Sequence, residues 1–194
     1  MQAAPVYICV DVESAGPNPA SYALLSIGAA LVEDPARSFY VELQPDKPGQ
    51  TQEAAQIHQL DWAHLVAHGR PAQQALQDFV AWVQAQCGER PPVFVAFNAP
   101  FDWMFVNDYL HYYLGSNPFG HRALDIKAVY FGLRGVAWDA TSFQAVSAAY
   151  GYTDALQHNA EQDARQGAQL FAAILQEIEE RHGQPNESGS ATHY

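Results

Sequence analysis

Apolar positions along the chain follow two rhythms. Residues 5–12, 22–34, 37–44 and 92–97 are short runs, apolar or alternating, of strand length, the pattern of chain buried in a sheet. The second and third are separated by Asp34, Pro35 and Ala36, which predict a tight turn and hence a β-hairpin. Residues 71–86 place Ala75, Leu76, Phe79, Val80 and Val83 on one helical face, with Pro71 in the first turn and Gly88 and the Pro91-Pro92 pair after the end. Further helices are predicted over residues 99–114, 141–149 and 159–181, the last with Ala164, Ala168, Phe171, Ile174, Leu175 and Ile178 facing inward. Residues 45–50 form a polar loop, and residues 183–194, polar with Gly and Ser, predict a disordered tail. A meander of three strands followed by alternating helices and strands predicts an α/β fold with a mixed sheet. No internal repeat or linker divides it, so residues 1–182 are expected to form one domain.

Composition adds constraints. A chain of 194 residues can bury one sizeable core. The longest apolar run, residues 22–32, contains Ser26 and Gly28 and is shorter than the ~18 residues of a membrane span, so no membrane association is expected. The first residues show no basic stretch followed by an apolar one, and Cys9 and Cys87 form no paired metal motif. Both point to a cytoplasmic protein with reduced thiols. The net charge of −12 opposes a polyanionic partner, because proteins that track long nucleic acids carry a basic face. The tightest grouping of cations is Arg122, Lys127 and Arg134. A nucleic-acid substrate would have to be short, or be drawn in by bound cations.

Candidate chemistry starts at "VYICVDVESAG", residues 6–16, where Asp11 and Glu13 end an apolar strand two positions apart. Residues i and i+2 of a strand share a face, and two carboxylates so close are costly when ionised unless something positive joins them. Asn98 and Asp102 follow the fourth strand at helical spacing, predicted on one face of the next helix, and His158 and Asp163 stand at the start of the long helix. Four carboxylates with no Lys or Arg adjacent in sequence fit hard divalent cations, Mg²⁺ or Mn²⁺ rather than zinc. Two such ions ~4 Å apart stabilise the attacking and leaving oxygens of a phosphoryl displacement, and His158 suits a proton acceptor.

The order Asp-x-Glu (Asp11, Glu13), Asn-x-x-x-Asp (Asn98, Asp102) and His-x-x-x-x-Asp (His158, Asp163) resembles the DEDDh 3′→5′ exonucleases, the DnaQ-like group. The resemblance runs from about residue 6 to about 175, and includes "IHQLD" at 57–61 and "ALD" at 123–125. It implies a ribonuclease-H-like fold, a five-stranded mixed sheet flanked by helices, and hydrolysis of nucleic acid 3′ ends, DNA or RNA, to nucleoside 5′-monophosphates. It implies that Asp11, Glu13, Asp102 and Asp163 hold two Mg²⁺ or Mn²⁺, with Asp11 bridging, and that His158 is the general base. The backbone at Ser14 and Ala15, together with Asn98, would meet the substrate. A homodimer, or a polymerase or repair partner, would be compatible with such a domain.

The chain departs from the family's habits at Ser14-Ala15-Gly16-Pro17, often Thr-Thr-Gly-Leu, at Phe97, often His, and at Gln59, often Gly. His58, His64, His68, His111 and His121 are read as structural or exposed, and the run Trp103, Phe105, Tyr109, Tyr112, Tyr113 as mostly core with one or two members at a groove. The acidic charge leads to the expectation of a distributive enzyme on short or single-stranded ends with weak salt dependence. Two alternatives carry different tests: a non-catalytic interaction module on the same fold, or a metal-dependent small-molecule phosphoesterase.

Overall fold

Residues 4–183 are described in a computed structural model. Most of the predicted tail, residues 184–194, lies outside the described residues. Five strands, β1 (Val6–Ser14), β2 (Leu24–Leu31), β3 (Asp34–Glu42), β4 (Pro92–Ala96) and β5 (Ala123–Asp125), form one sheet in the order β3-β2-β1-β4-β5. The meander β1-β2-β3 is antiparallel, while β1, β4 and β5 run parallel. The helices are α1 (Gln52–His58), α2 (Trp62–His68), α3 (Ala72–Cys87), α4 (Pro100–Leu114), α5 (Ile126–Arg134), α6 (Phe143–Ala149) and α7 (Ala160–Gly183), with a 3₁₀ turn at Trp138–Thr141. This is the five-stranded mixed sheet flanked by helices that the resemblance implied.

Two features differ from the sequence reading. The hairpin turns at Val32 and Glu33, with Leu31 paired to Asp34, so Asp34, Pro35 and Ala36 already belong to β3. Pro35 is tolerated there because β3 is an edge strand, where a missing N–H leaves no partner unsatisfied. The apolar periodicity does not mark the helices α1, α2 and α5. Each is set by a side-chain cap: Thr51 accepts from the Ala54 N–H, Asp61 from Ala63 and His64, and Asp125 from Lys127 and Ala128.

The sheet divides the core in two. Val6, Ile8, Val10 and Val12 of β1 face α3 and α4 and pack with Leu76, Phe79, Phe94 and Phe105. Cys9 faces the other way, with Ala30, Val95, Ile126, Ala164, Ala168 and Phe171. By alternation Asp11 and Glu13 lie on the face of Cys9, the one α7 covers. That helix approaches closely because two contacts lack side chains. A Cβ on Gly28, the β2 partner of Asp11, would fall 2.0 Å from the Ala160 backbone, and one on Gly167 would fall 2.7 Å from the Cys9 Sγ. The start of α7 therefore rests on bare strand beside Asp11.

Replacing Gly28 by Ala should push the start of α7 off the sheet. Overpacking of this kind costs about 1–3 kcal/mol, so thermal denaturation should shift down by about 2–10 °C. Mn²⁺ affinity, read by electron paramagnetic resonance, should fall with it. Wild-type values of both in Gly28→Ala would show that the close approach does not position the acids.

Candidate active site

Beyond Cys9, β1 outruns its parallel partner, since the β1–β4 pairing ends at Cys9 and Val95. The free edge is taken over by a side chain: Asp102, in the first turn of α4, accepts the Val12 N–H at 3.1 Å through Oδ1. Asp102 is thereby fixed against the backbone between Asp11 and Glu13. From the other side, the first turn of α7 brings Asp163, whose Oδ1 accepts the Gln157 N–H at 2.8 Å. That bond folds the preceding loop back over the helix start, with His158 in the left-handed region at φ 53°. Glu13, His158 and Asp163 each offer a ligand atom within 4.8 Å of the others.

Glu13, Asp102 and Asp163 are buried, Asp11 is half-buried and His158 is exposed. All five line one cavity of about 450 Å³. Among the described residues, none of the four carboxylates pairs with a Lys or Arg; the nearest in sequence, Arg165, is held by Glu161 and Ser38. Burial therefore raises every one of them, and repulsion from neighbouring carboxylates adds to it at Asp11, Glu13 and Asp102. Desolvation, then Asp102, Glu13 and Asp163, push the Asp11 carboxyl well above its ordinary range. Glu13 is raised to about 7 by burial and Asp163, and Asp102 to about 8 by burial, its bond from Val12 opposing. Asp163 is raised by burial, with backbone bonds and His158 opposing. A donor set of four carboxylates and one imidazole, short of positive charge, fits one or more hard divalent cations.

The remaining expected residues are placed less uniformly. Ser14 lines the cavity and its hydroxyl donates to the Gly16 carbonyl at 2.9 Å. Ala15 is fully buried with both backbone groups spent, its N–H on Ala23 and its carbonyl on Thr51, each at 2.8 Å. It braces the cavity wall, while Gly16 and Pro17 line the cavity. Asn98 does not share the helix face of Asp102. It precedes α4 at φ 63°, lines the cavity, and donates its N–H to Asp125 at 3.2 Å. Phe97, in the place where the family often has His, lines the cavity and stacks edge-on against Phe143 at 5.1 Å. Phe105 and Tyr109 are core, and Tyr112 is exposed.

His58 was read as structural or exposed, and the structure sets it in the cavity wall. It is only 4% exposed; its Nδ1 accepts the Leu60 N–H at 2.9 Å, which places the proton on Nε2. That Nε2 is buried with no protein partner. Burial lowers the imidazole pKa, favouring the neutral ring. The signal lay in Gln59, whose φ of 52° ends α1 and turns Leu60 back onto His58. A turn of that kind is not legible from residue types alone.

The raised carboxyls have a consequence for stability. In the metal-free protein Asp102 stays protonated up to about pH 8 while in the unfolded chain it ionises near 4. The unfolded state thus binds fewer protons in this window, and stability falls as pH rises through it. Glu13 contributes likewise up to about 7. Melting in EDTA should drop by about 2–10 °C between about pH 5 and pH 8. Asp102→Asn keeps an oxygen for the Val12 N–H and removes the charge, so at about pH 8 it should melt above the wild type and gain less from added Mn²⁺. A wild type that melts no lower at the higher pH would contradict this account of the acids.

No family model matches the chain. It is 38% identical over 170 residues to the 3′-5′ DNA exonuclease Cap18 of Escherichia coli, covering 87% of this chain and 91% of that protein. Its fold is similar to the nuclease domain of 3′hExo, a DEDDh family member bound to rAMP, with a TM-score of 0.75 at 14% identity over 91% of this chain and 95% of that one. It is also similar to E. coli exonuclease I in complex with a dT13 oligonucleotide, with a TM-score of 0.70 at 16% identity over 93% of this chain and 43% of the larger protein. With the acids Asp11, Glu13, Asp102 and Asp163 and with His158 gathered in one cavity, the chain belongs to the DEDDh, or DnaQ-like, family of metal-dependent 3′→5′ exonucleases.

Proposed function

We propose that the protein removes nucleoside 5′-monophosphates one at a time from the 3′ ends of single-stranded DNA. The observation that carries this reading is the convergence of four carboxylates and one imidazole, without a Lys or Arg partner, in a single cavity. The likeness to a DNA exonuclease at 38% identity favours DNA over RNA.

Asp11, Glu13 and Asp163 would hold one divalent ion and Asp102, with Asp11, a second. Bound there, such ions supply positive charge to the attacking and leaving oxygens of the phosphodiester. The chain's own groups do the rest. The His158 imidazole takes a proton from the attacking water as its oxygen adds to phosphorus. The bond from phosphorus to O3′ of the penultimate nucleotide breaks, O3′ gains a proton, and the strand leaves one nucleotide shorter. Cavity space of about 450 Å³ suits one nucleotide, gripped by Pro17, Ile57, Phe101 and Leu156. The His58 Nε2–H donates to an acceptor atom of that nucleotide, giving a buried donor the partner it lacks in the free protein. Pro17 replaces a longer apolar wedge, so the base is held loosely, and release between cuts makes the enzyme distributive.

A time course on 5′-labelled single-stranded DNA and RNA with Mg²⁺ or Mn²⁺ tests this. Wild type should give a ladder shortening from the 3′ end, faster on DNA, and Asp163→Ala should give none. His158→Ala should lower turnover by ~10²–10⁴ while Mn²⁺ binding persists. No cleavage by a folded protein that binds Mn²⁺ would instead support an interaction module or a small-molecule phosphoesterase. In His58→Phe, KM should rise by about 3- to 30-fold with melting little changed, since the variant removes one unpartnered buried donor and also the acceptor of the Leu60 N–H. An unchanged KM would take His58 out of the binding wall.

A further inference from the structure

An acidic nuclease must still hold a polyanion, and six of its cations are spent inside the molecule. Lys47, Arg70, Arg90, Arg134, Arg165 and Arg181 each pair with a carboxylate. Among the described residues, Arg37, Arg122 and Lys127 make no ion pair, and the last two flank β5 at the edge of the sheet. Lys127 lies instead over the ring of Trp138, its Nζ 4.3 Å from the centroid. Trp138 is 54% exposed and meets the 42% exposed Phe131 edge-on at 5.7 Å. Single exposed rings are common on protein surfaces, but here two large rings and a cation meet at one spot, as at a contact surface.

This cluster adjoins the active-site cavity by two routes. Asp125 caps α5 two residues before Lys127 and accepts the N–H of Asn98, which lines the cavity. The Trp138–Thr141 turn leads into α6, whose Phe143 stacks on the cavity residue Phe97. The cluster therefore begins where the Phe97–Asn98 rim ends.

We infer that Trp138, with Phe131 and Lys127, is a stacking platform for bases of single-stranded nucleic acid lying 5′ of the scissile linkage. The inference rests on the exonuclease reading and names how the same site holds the rest of its strand. An exposed indole gives a base a π face to stack on, and a neighbouring cation serves the phosphate backbone, the two elements of sequence-tolerant single-strand binding. Charge complementarity selects this occupant: on a chain of net charge −12, a cation without an ion pair, Lys127, stands over the open indole. Duplex is disfavoured because its bases are stacked already.

Two measurements on wild type, Trp138→Ala, Trp138→Phe and Lys127→Ala test it. The first is polarisation of a fluorescein-labelled oligothymidylate of about 12 nucleotides, titrated in EDTA so that hydrolysis plays no part. Trp138→Ala should weaken binding by about 5- to 50-fold, Lys127→Ala by a smaller factor, and Trp138→Phe should restore most of it. The second is KM for the same oligomer against a thymidine dinucleotide, too short to reach the platform. Trp138→Ala should raise KM for the long substrate and leave the dinucleotide at its wild-type value.

Equal affinity of wild type and Trp138→Ala for the oligomer would overturn the inference. So would an equal loss on both substrates, which would mean that the change acts through Phe97 or Asn98. Wild type that binds the oligomer through Trp138 yet cleaves nothing would support the platform and refute the exonuclease reading. A wild type that cleaves without any dependence on Trp138 would do the reverse.

Discussion

At Gly28 the sheet presents backbone alone, and the first turn of α7 lies against it. Ala160 occupies the volume a Cβ would take. Because Gly28 pairs with Asp11, that contact brings the end of a helix to the strand position where the first carboxylate stands. Asp163, one turn into α7, is then set beside Glu13, and its bond from Gln157 draws His158 over both. Farther along, Gly167 repeats the arrangement against Cys9, so α7 lies flat and its apolar stripe from Ala164 to Ile174 is buried. On the solvent side Arg165 ties Glu161 to Ser38 of β3. The site is a consequence of how closely one helix can approach one strand.

That proximity has an electrostatic cost, and the protein accepts it. Four carboxylates share a cavity wall, and the buried Cys9 thiol beneath them is also pushed up by its own desolvation and by Asp11 and Asp102. In an ordinary core such charges would be neutralised by arginine. Here an arginine would occupy the place of the cations the site is shaped for, so the acids are held by backbone instead: Asp102 by Val12 and Asp163 by Gln157. Backbone N–H groups orient a carboxylate without cancelling its charge for a ligand. The free protein is less stable near neutral pH than its packing would allow, which is the usual relation between a functional site and the fold around it.

The sheet, the long helices and the five residues of the acidic constellation were legible in the sequence because each has a local signature. Short apolar runs marked β1 and β2, the 3.6-residue stripe marked α3 and α7, and the spacing of Asp11, Glu13, Asp102, His158 and Asp163 carried the family resemblance. What escaped depends on backbone geometry or on partners far away in sequence. The turn at Val32 and Glu33 was hidden by a proline that only an edge strand tolerates. Asn98 left its expected helix because α4 begins at Pro100, and its left-handed backbone directs its N–H to Asp125. His58 looked like one histidine among eight. Only the turn at Gln59 shows that one nitrogen is satisfied and the other waits.

The charge of the molecule can be reconciled with its substrate by separating attraction from retention. Long-range steering of a polyanion is opposed by net negative charge, and this chain carries −12. Retention needs short-range contacts, and base stacking, which acts only after encounter, does not depend on net charge. The cavity supplies apolar walls and a buried donor, and the rim supplies open rings with a cation beside them. On the proposed function, such a protein would capture free single-stranded ends slowly and distinguish them by whether bases can stack. Paired nucleic acid, which offers high charge density but few free base faces, gains little from those contacts and meets the acidic surface at full strength. On the proposed function, an acidic surface would serve as a filter against duplex, and the same charge that first argued against a nucleic-acid substrate would account for which form of it is accepted.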